Sequence, residues 1–235
     1  MQTLANKKLL ITGGATGIGY ALAERALAEG ARVALCGRRE DKVRAAVEAL
    51  GEGAHGFRCD VGVEDDVRRL FAEADAALGG LDVLVNNAAF GYRAPLLELD
   101  VERFRAVHET NVLGAMLVGR EAARRFVDQG SGTILNVAST AASRGYAGGS
   151  AYASSKFALH GLTECWRAEL RPHGVRVMQI NPSEVQTPFG GRDTSVEPNP
   201  TKLMAADVAH LMVAMLTLED RGFVTEATLW ATNPR

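Results

Sequence analysis

The chain has 235 residues, a length that suits one α/β domain or at most two small ones. Hydrophobic residues make up 47% of the chain and charged residues 23%, which excludes disorder as its overall state. No apolar run approaches the roughly 18 residues that a membrane helix needs. The formal net charge of -2 gives no electrostatic basis for binding nucleic acid or an anionic membrane.

The first residues and the three cysteines bear on the compartment. Residues 1–8 lack the apolar stretch and cleavage site of a signal peptide, so we expect a cytoplasmic protein. Cys36, Cys59 and Cys165 are odd in number and widely spaced, with no CxxC pair and no metal-ligand spacing. We therefore expect no metal site, and three reduced thiols in or near the core.

Short apolar runs alternate with longer stretches of helical periodicity. In chain order the pattern predicts strand 9–11, helix 17–29, strand 33–36, helix 40–50, strand 56–59, helix 64–78, strand 83–85, a long helix over about 101–127, strand 133–137, helix 151–171, strand 175–180, helix 205–218 and strand 227–230. Most strands are continuous apolar runs, as in parallel strands covered on both faces. The sequence therefore predicts a single α/β domain over 1–235, with a doubly wound, Rossmann-type, seven-stranded parallel sheet between two layers of helices.

A glycine-rich turn joins the first predicted strand to the first predicted helix. It reads Thr12-Gly13-Gly14-Ala15-Thr16-Gly17-Ile18-Gly19. The glycines allow a sharp turn and close approach of a ligand, while the free N–H groups and the helix dipole attract a pyrophosphate. The alternative is that this segment is an ordinary tight turn that binds no ligand. The position between a strand and a helix favours a dinucleotide site, whose expected contacts are Gly13, Thr16, Gly17, Ile18 and Gly19.

The residues after the second strand indicate which dinucleotide binds. A carboxylate there would hold the ribose 2′-hydroxyl of NAD, but this chain has Arg38 and Arg39 and no acid before Glu40. Guanidinium groups suit a 2′-phosphate, so the sequence favours NADP(H) over NAD(H). The alternative is a solvated pair of surface arginines. After the third strand, Asp60 and Val61 could flank the adenine, or Asp60 could cap a turn.

Tyr152 and Lys156 stand four residues apart on one predicted helix, and therefore on the same face. A lysine cation beside a phenol favours the phenolate and lowers a pKa that is otherwise about 10. Such a tyrosine can exchange a proton with a carbonyl or alcohol oxygen near neutral pH. The spacing alone is weak evidence, because an exposed helix can carry both residues by chance.

Ser139 and Asn111 add to this pair. Ser139 follows the fifth predicted strand, and the carboxyl ends of strands in open α/β sheets face the ligand crevice. A hydroxyl there can hold the substrate oxygen. Without the other motifs, Ser139 would be interpreted as an ordinary loop residue. Asn111 lies inside the long predicted helix, where asparagine is unfavourable and its presence needs a reason. A surface asparagine is the alternative.

With these motifs in this order, the chain resembles the short-chain dehydrogenase/reductase family, in its compact single-domain branch. The resemblance runs from Thr12 to about Trp230. It is carried by the glycine turn, Asp60-Val61, Asn86-Asn87-Ala88, Asn111, Ser139, Tyr152-x-x-x-Lys156, Asn181-Pro182 and Thr187. Each motif is weak alone, and together they are highly specific.

The resemblance implies a role for each of these residues. It makes Tyr152 the general acid/base, and it has Lys156 lower the Tyr152 pKa and bind the nicotinamide ribose. It also implies that Ser139 positions the reacting oxygen and that Asn111 holds a water in a proton relay. The further cofactor contacts that it implies are Asn87 and Ala88 at the adenine ribose, Val185 and Thr187 at the carboxamide, and Pro182.

The chain departs from the family pattern at a few positions. Ala89 replaces the glycine that usually ends the Asn-Asn-Ala-Gly run. After Asn181-Pro182, Ser183 stands where the family commonly has glycine, and Glu184 follows it. No basic residue precedes Gly17, so recognition of a 2′-phosphate would depend on the two arginines after the second strand.

The helices at 101–127 and 151–171 carry apolar residues on more than one face. These residues include Leu113, Met116, Leu117, Leu162 and Trp166. One face would cover the sheet and the other would pair with a second subunit. The resemblance also implies a homotetramer or homodimer built on these helices, and packing within one chain is the alternative.

The sequence thus predicts an NADP(H)-dependent oxidoreductase that interconverts a ketone or aldehyde and an alcohol, similar to 3-oxoacyl-thioester and carbonyl reductases. The alternatives are an NAD-dependent alcohol dehydrogenase and a catalytically silent nucleotide-binding regulator. We expect a small-molecule substrate and a flexible substrate loop at about 187–201. Candidate substrate residues are Phe90, Tyr92, Arg93, Ala141, Tyr146, Glu184 and Phe189.

Overall fold

Strands and helices alternate along the chain in the order that the apolar pattern predicts. The computed structural model describes residues 2–191 and 197–232. In chain order the elements are β1 (Lys8–Thr12), α1 (Gly17–Ala28), β2 (Arg32–Gly37), α2 (Glu40–Leu50), β3 (Ala54–Arg58), α3 (Glu64–Leu78), β4 (Val83–Asn86), α4 (Val101–His108), α5 (Ala115–Gln129), β5 (Gly132–Val137), α6 (Ser150–Leu170), β6 (Val175–Pro182), β7 (Val185–Gln186), β8 (Leu203–Met204), α7 (Ala205–Leu216) and β9 (Glu226–Leu229). Only the short strands β7 and β8, which pair with each other, lack a predicted counterpart.

The seven strands of the main sheet all run parallel, in the order β3-β2-β1-β4-β5-β6-β9. Strand β1 lies in the middle, where Leu10 pairs with Ala34 of β2 on one side and with Leu84 of β4 on the other. The chain therefore builds the sheet outward in two directions from β1, and a crevice opens at the carboxyl ends of β1 and β4. The predicted doubly wound parallel sheet is confirmed.

Apolar layers cover both faces of this sheet. Leu9 and Ile11 of β1 face the layer shared with α1, α2 and α7, whereas Leu10 faces the layer shared with α3 and α5. The inner strands β4 and β5 are buried along nearly their whole length, as their continuous apolar runs predict. Strand β3, at the edge of the sheet, is buried only at Ala54 and is partly or fully exposed at its other four positions.

The long helix predicted over about 101–127 is not regular. Between α4 and α5 the backbone forms a π-helical turn, Glu109–Gly114. Such a turn inserts extra chain into a helix and often occurs at functional sites. Gly114 brings it close to the segment after β3, because a Cβ on this glycine would lie 2.6 Å from Val61 Cγ2. Apolar periodicity does not mark the inserted turn, so the prediction of one unbroken α-helix is wrong here.

The cysteines differ in their surroundings. Cys36 of β2 and Cys59 after β3 are buried, and their hydrogen bond together with burial raises the pKa of the Cys36 thiol well above its usual value. Cys165 is exposed on α6, so the prediction that all three thiols lie in or near the core is wrong for this one. Within residues 2–191 and 197–232, no three metal-ligating side chains come together, and no helix has the length and apolarity to cross a membrane.

Candidate active site

A cavity of about 510 Å³ opens at the carboxyl ends of the strands of the main sheet. Its walls come from the glycine turn, from the segments that follow β2, β3, β4, β5 and β6, and from α6. The predicted site residues that line it are Gly13, Thr16, Gly17, Ile18, Arg38, Arg39, Asp60, Val61, Asn87, Ala88, Ser139, Tyr152, Lys156, Pro182, Val185 and Thr187. Two predicted site residues, Gly19 and Asn111, lie behind the wall.

The glycine turn folds closely onto the end of β4. Gly13 has a φ of +63°, and a Cβ there would lie 2.9 Å from Ala88 Cα. A Cβ on Gly19 would lie 2.6 Å from Asn87 Nδ2, so the absence of a side chain here allows α1 to approach the end of β4 closely. The predicted dinucleotide turn therefore has the shape that a bound phosphate group needs, with bare backbone facing the cavity.

Thr12 and Asn87 hold this turn in place across the crevice. The Oγ1 atom of Thr12 accepts hydrogen bonds from the backbone N–H groups of Asn87 and Ala88, both at 3.0 Å. In return, Asn87 Nδ2 donates to the carbonyls of Thr12 at 2.9 Å and Gly13 at 3.1 Å. The Asn87 amide therefore orders the protein backbone, and Thr12 is a buried supporting residue to which the sequence analysis assigned no role.

Cations gather at the end of the cavity near β2. Arg38 and Arg39 follow β2, and Lys42 in the first turn of α2, which the sequence analysis did not identify, adds a third cation to the wall. The guanidinium carbon of Arg38 lies 5.6 Å from the centre of the Phe90 ring. Asp60 accepts a hydrogen bond from Gly62 N at 3.1 Å, as expected of a turn-capping residue. It also lines this end of the cavity, and its contact with an adenine stays a prediction.

Three polar side chains meet at the other end. Ser139 follows β5, and its Oγ accepts a hydrogen bond from Ala141 N at 3.1 Å. Tyr152 and Lys156 lie one turn apart on α6, and all three side chains line the cavity. Lys156 Nζ donates to the carbonyl of Val137 at 2.8 Å and lies 5.7 Å from the centre of the Tyr152 ring. The structure thus brings together three of the four predicted catalytic residues.

Burial governs the acid–base properties of this end. It raises the pKa of Tyr152 to about 12, which a hydrogen bond with Ser139 opposes. It lowers the pKa of Lys156 to about 7, because the ammonium loses its hydration inside the protein. The lysine is therefore only partly charged at neutral pH. Desolvation is the largest contribution to the raised Tyr152 pKa, and the role of Lys156 in lowering that pKa stays a prediction.

Asn111 is buried within the π-helical turn, with 1% of its surface exposed. Its Nδ2 donates to Phe90 O at 3.0 Å and to Ser155 Oγ at 2.9 Å, and its Oδ1 accepts from Phe90 N at 3.0 Å. Asn111 is therefore not a surface residue, and that alternative prediction is wrong. Both amide protons bind protein atoms, so they are not available to hold the predicted relay water.

Helix α6 receives further support that the sequence analysis missed. Ser155 Oγ donates to the backbone carbonyl of Tyr152 at 2.7 Å. His108 Nε2 lies 2.9 Å from Ser154 Oγ, which links α4 to α6, and burial lowers the pKa of this histidine. In the sequence, these contacts are indicated only by the two serines, Ser154 and Ser155, that stand between Tyr152 and Lys156.

Among the candidate substrate residues, Phe90 and Phe189 line the cavity, whereas Tyr92, Arg93, Ala141, Tyr146 and Glu184 do not. Tyr92 is buried elsewhere, and its hydroxyl accepts a hydrogen bond from Asp100 N at 3.1 Å. Arg93 stacks over Tyr146 at 5.0 Å, and Glu184 pairs with Lys202 at 3.3 Å. Of the predicted loop at 187–201, positions 192–196 lie outside the described residues.

Comparison with known proteins agrees with this geometry. A model of the short chain dehydrogenase family matches residues 7–197. The chain belongs to this family. It is therefore an oxidoreductase, and several of its relatives are named as dehydrogenases or reductases. One relative is the 2,5-dichloro-2,5-cyclohexadiene-1,4-diol dehydrogenase of Sphingobium indicum, 38% identical over 204 residues, which cover 84% of this chain and 82% of the relative.

Solved structures of short-chain dehydrogenases share the whole fold. An alcohol dehydrogenase from Thermococcus sibiricus, in complex with 5-hydroxy-NADP, superposes with a TM-score of 0.90 at 27% identity, covering 97% of this chain and 98% of that one. A 3-ketoacyl-(acyl-carrier-protein) reductase from Brucella melitensis, in complex with NADH, gives a TM-score of 0.89 at 28% identity, covering 98% and 99%. Both forms of nicotinamide cofactor therefore occur among these neighbours.

Proposed function

We propose that this short-chain dehydrogenase interconverts a ketone or aldehyde and the corresponding alcohol, with NADP(H) preferred over NAD(H). One observation carries the proposal. The side chains of Ser139, Tyr152 and Lys156 meet at one end of a cavity whose other end presents a glycine turn and three cations. This arrangement suits a molecule with phosphate groups at one end and a reacting carbon at the other.

The described residues fit a dinucleotide. A Cβ on Gly13 would fill the cradle beside Ala88, so bare backbone is needed for a pyrophosphate to approach. Arg38, Arg39 and Lys42 would hold a 2′-phosphate through charge-assisted hydrogen bonds. The other contacts would be Asp60 and Val61 at the adenine, Asn87 and Ala88 at its ribose, and Pro182, Val185 and Thr187 at the nicotinamide. When bound, this group supplies or accepts a hydride.

The chain's own side chains handle the proton. The Ser139 hydroxyl holds the substrate oxygen by a hydrogen bond, and the Tyr152 hydroxyl donates its proton to that oxygen in the reducing direction. A pKa of about 12 keeps the phenol protonated at neutral pH, ready to act as an acid. In the oxidising direction the phenol must first lose its proton, which the raised pKa opposes.

Parallel assays with NADPH and NADH against a panel of ketones and aldehydes test this function. We expect absorbance of the reduced cofactor to fall with at least one carbonyl substrate, and NADPH to be used at lower concentration than NADH. Equal use of both cofactors, or a preference for NADH, would overturn the NADP assignment. Cofactor binding without turnover of any carbonyl would instead favour a nucleotide-binding regulator.

We also propose that the protein forms a homodimer or homotetramer through α4, the π-helical turn and α6. Phe157 on α6 and Leu113 on the π-helical turn expose 44% and 38% of their surface and would be covered by a second subunit. Leu117, by contrast, is buried, and Trp166 packs against Gly119. The outward apolar set is therefore smaller than the sequence suggests, and it lies next to the site.

A further inference from the structure

The two arginines after β2 differ in what their side chains contact. The guanidinium carbon of Arg38 lies 5.6 Å from the centre of the Phe90 ring, within the range in which a cation is attracted to an aromatic face. Arg39 stands just before α2, where its carbonyl accepts a hydrogen bond from Val43 N at 3.1 Å. Among the described residues, the Arg39 side chain lies over no aromatic ring. The sequence treats the two arginines alike, and the structure separates them.

The backbone on both sides of Arg38 is held in place. On one side, the Gly37 carbonyl accepts a hydrogen bond from Cys59 N at 3.0 Å, and on the other the chain enters α2 at Arg39. The Arg38 side chain itself is exposed. A long exposed side chain samples many rotamers and loses that freedom when it binds a phosphate. The contact with Phe90 therefore restricts the part of Arg38 that the backbone does not fix.

The Phe90 ring has a fixed position of its own. Asn111 binds both polar groups of the Phe90 backbone, because its Oδ1 accepts from the N–H and its Nδ2 donates to the carbonyl, each at 3.0 Å. The Phe90 side chain is partly buried against a small apolar cluster that joins the segment after β4 to α4 and α6. The members of this cluster are Tyr92, Ala94, Val107 and Ala151. The position of the ring is therefore set by elements that also build the reacting end.

The contact between Arg38 and Phe90 crosses the crevice. Both residues line the cavity, one in the segment after β2 and the other in the segment after β4. These two strands flank β1 in the sheet, and the glycine turn follows β1 directly. A guanidinium that lies over the ring is thus kept beside the turn where a dinucleotide would place its phosphates.

We propose that Phe90 is a positioning residue for the choice of cofactor, whose ring orients the Arg38 guanidinium for the 2′-phosphate of NADP(H). This inference rests on the proposed preference for NADP(H). A guanidinium that is already oriented loses less freedom when it binds, so the ring favours the cofactor with the extra phosphate and contributes little to the other. Because Asn111 fixes the Phe90 backbone, the preference also depends on a buried residue of the π-helical turn.

Calorimetric titration of the full-length protein with NADPH and with NADH tests the proposal. Phe90→Leu removes the aromatic face, and the ratio of the two dissociation constants should shift against NADPH by about fivefold, as expected for a cation–π contact at an exposed site. Phe90→Tyr keeps the face and should retain the wild-type ratio. Phe189→Leu is the matched control, because it removes another ring of the cavity lining, 5.6 Å from the Tyr152 ring, where NADPH and NADH are identical. It should leave the ratio unchanged.

Two further variants separate orientation of the arginine from general packing. In an Arg38→Met background, which lacks the cation, Phe90→Leu should no longer change the ratio, because the two residues are coupled. Asn111→Ala keeps both side chains but releases the Phe90 backbone, so it should also shift the ratio against NADPH. Phe90→Met, another apolar side chain without a ring, repeats the test if Phe90→Leu does not fold.

The outcomes distinguish this inference from the function on which it rests. If Phe90→Leu weakens NADPH and NADH in parallel, leaves both unchanged, or shifts the ratio equally with and without the Arg38 cation, Phe90 does not position the arginine, while the proposed function stands. A wild-type protein that binds NADH as tightly as NADPH overturns the NADP assignment and this inference together.

Discussion

Asn111 Nδ2 donates a hydrogen bond to Ser155 Oγ at 2.9 Å, and Ser155 Oγ donates in turn to the backbone carbonyl of Tyr152 at 2.7 Å. The π-helical turn is thereby joined to the turn of α6 that bears the tyrosine. The same asparagine binds the backbone N–H and carbonyl of Phe90. One buried amide thus sets the separation between α6 and the segment after β4, which form two walls of the reacting end.

Replacing Asn111 by alanine should loosen both walls. The change leaves the Phe90 N–H and carbonyl without their partner, and an unsatisfied buried group costs about 1–3 kcal/mol. We expect the free energy of unfolding, measured with urea, to fall by that order and kcat to fall with it. Asn111→Asp keeps the acceptor for Phe90 N but sets a carboxylate oxygen against the Phe90 carbonyl in a buried position, so it should be at least as destabilising as the alanine variant. An alanine variant as stable and active as the wild type would show that these bonds are dispensable.

Tyr152→Phe should remove the proton donor while keeping the ring. We expect kcat to drop by about 10²–10⁴-fold, the usual contribution of a general acid or base. The melting temperature should change little, because the ring still packs beside Phe189. Tyr20→Phe on α1, where the same hydroxyl is removed outside the cavity lining, is the control and should retain activity. Near-normal turnover by purified Tyr152→Phe would rule out the assigned role.

Arg38→Asp should change the choice of cofactor. A carboxylate repels a 2′-phosphate and accepts hydrogen bonds from ribose hydroxyls, so NADPH should bind about 10–100-fold more weakly while NADH is affected far less. Calorimetric titration of both cofactors measures this directly. Arg44→Asp makes the same charge change on α2, outside the cavity lining, and should alter neither affinity strongly. Parallel losses for NADPH and NADH in Arg38→Asp would contradict specific recognition of the 2′-phosphate.

Lys156 should make stability depend on pH. Its pKa is about 7 in the folded protein and near 10.5 in the unfolded chain, so between these values the unfolded chain binds more protons. Stability should therefore rise with pH from about 7 to 10, with a slope of at most about 1.4 kcal/mol per pH unit from this group. Tyr152 adds no pH dependence below pH 10, because the phenol is protonated there in the unfolded chain and, with a pKa of about 12, in the folded protein.

Urea unfolding at pH 7, 8 and 9 tests this prediction, with Lys156→Met as the comparison. Methionine cannot titrate, so the variant lacks this pH dependence. As pH rises from 7 to 9, the unfolding free energy of the wild type should therefore increase relative to that of the variant. A constant difference across this range would mean that the lysine keeps its ordinary pKa in the folded protein.

Phe157→Glu should dissociate the proposed oligomer. A charge on the outward face of α6 would be buried without a partner in a subunit interface, which is strongly unfavourable. Light scattering at micromolar concentration should then give a mass near 25.0 kDa for the variant and a multiple of it for the wild type. Val63→Glu, at a valine that is 49% exposed just before α3, should leave the assembly intact. A wild-type protein of 25.0 kDa would overturn the oligomer itself.

Local patterns were sufficient to predict the strands, most helices and the position of the cavity. Continuous apolar runs locate buried parallel strands, and the end of each strand then faces one edge of the sheet. The π-helical turn and the Asn111–Phe90 bonds could not be predicted, because they depend on contacts between segments distant in the chain. The Lys156 pKa was missed for a related reason, since desolvation depends on the final depth of the side chain rather than on its neighbours in sequence.

The central position of β1 has a consequence for how the chain folds. One neighbour of β1 is β2, but the other is β4, and Thr12 Oγ1 donates a hydrogen bond to the carbonyl of Val85, 73 positions further along the chain. While the chain is being synthesised, the side of β1 that faces β4 has no partner until the third helix has been made. Closing so long a loop is slow, and an unpaired apolar strand edge invites association with other chains. The strand order that creates the crevice therefore also leaves this edge of β1 unpaired until β4 has been made.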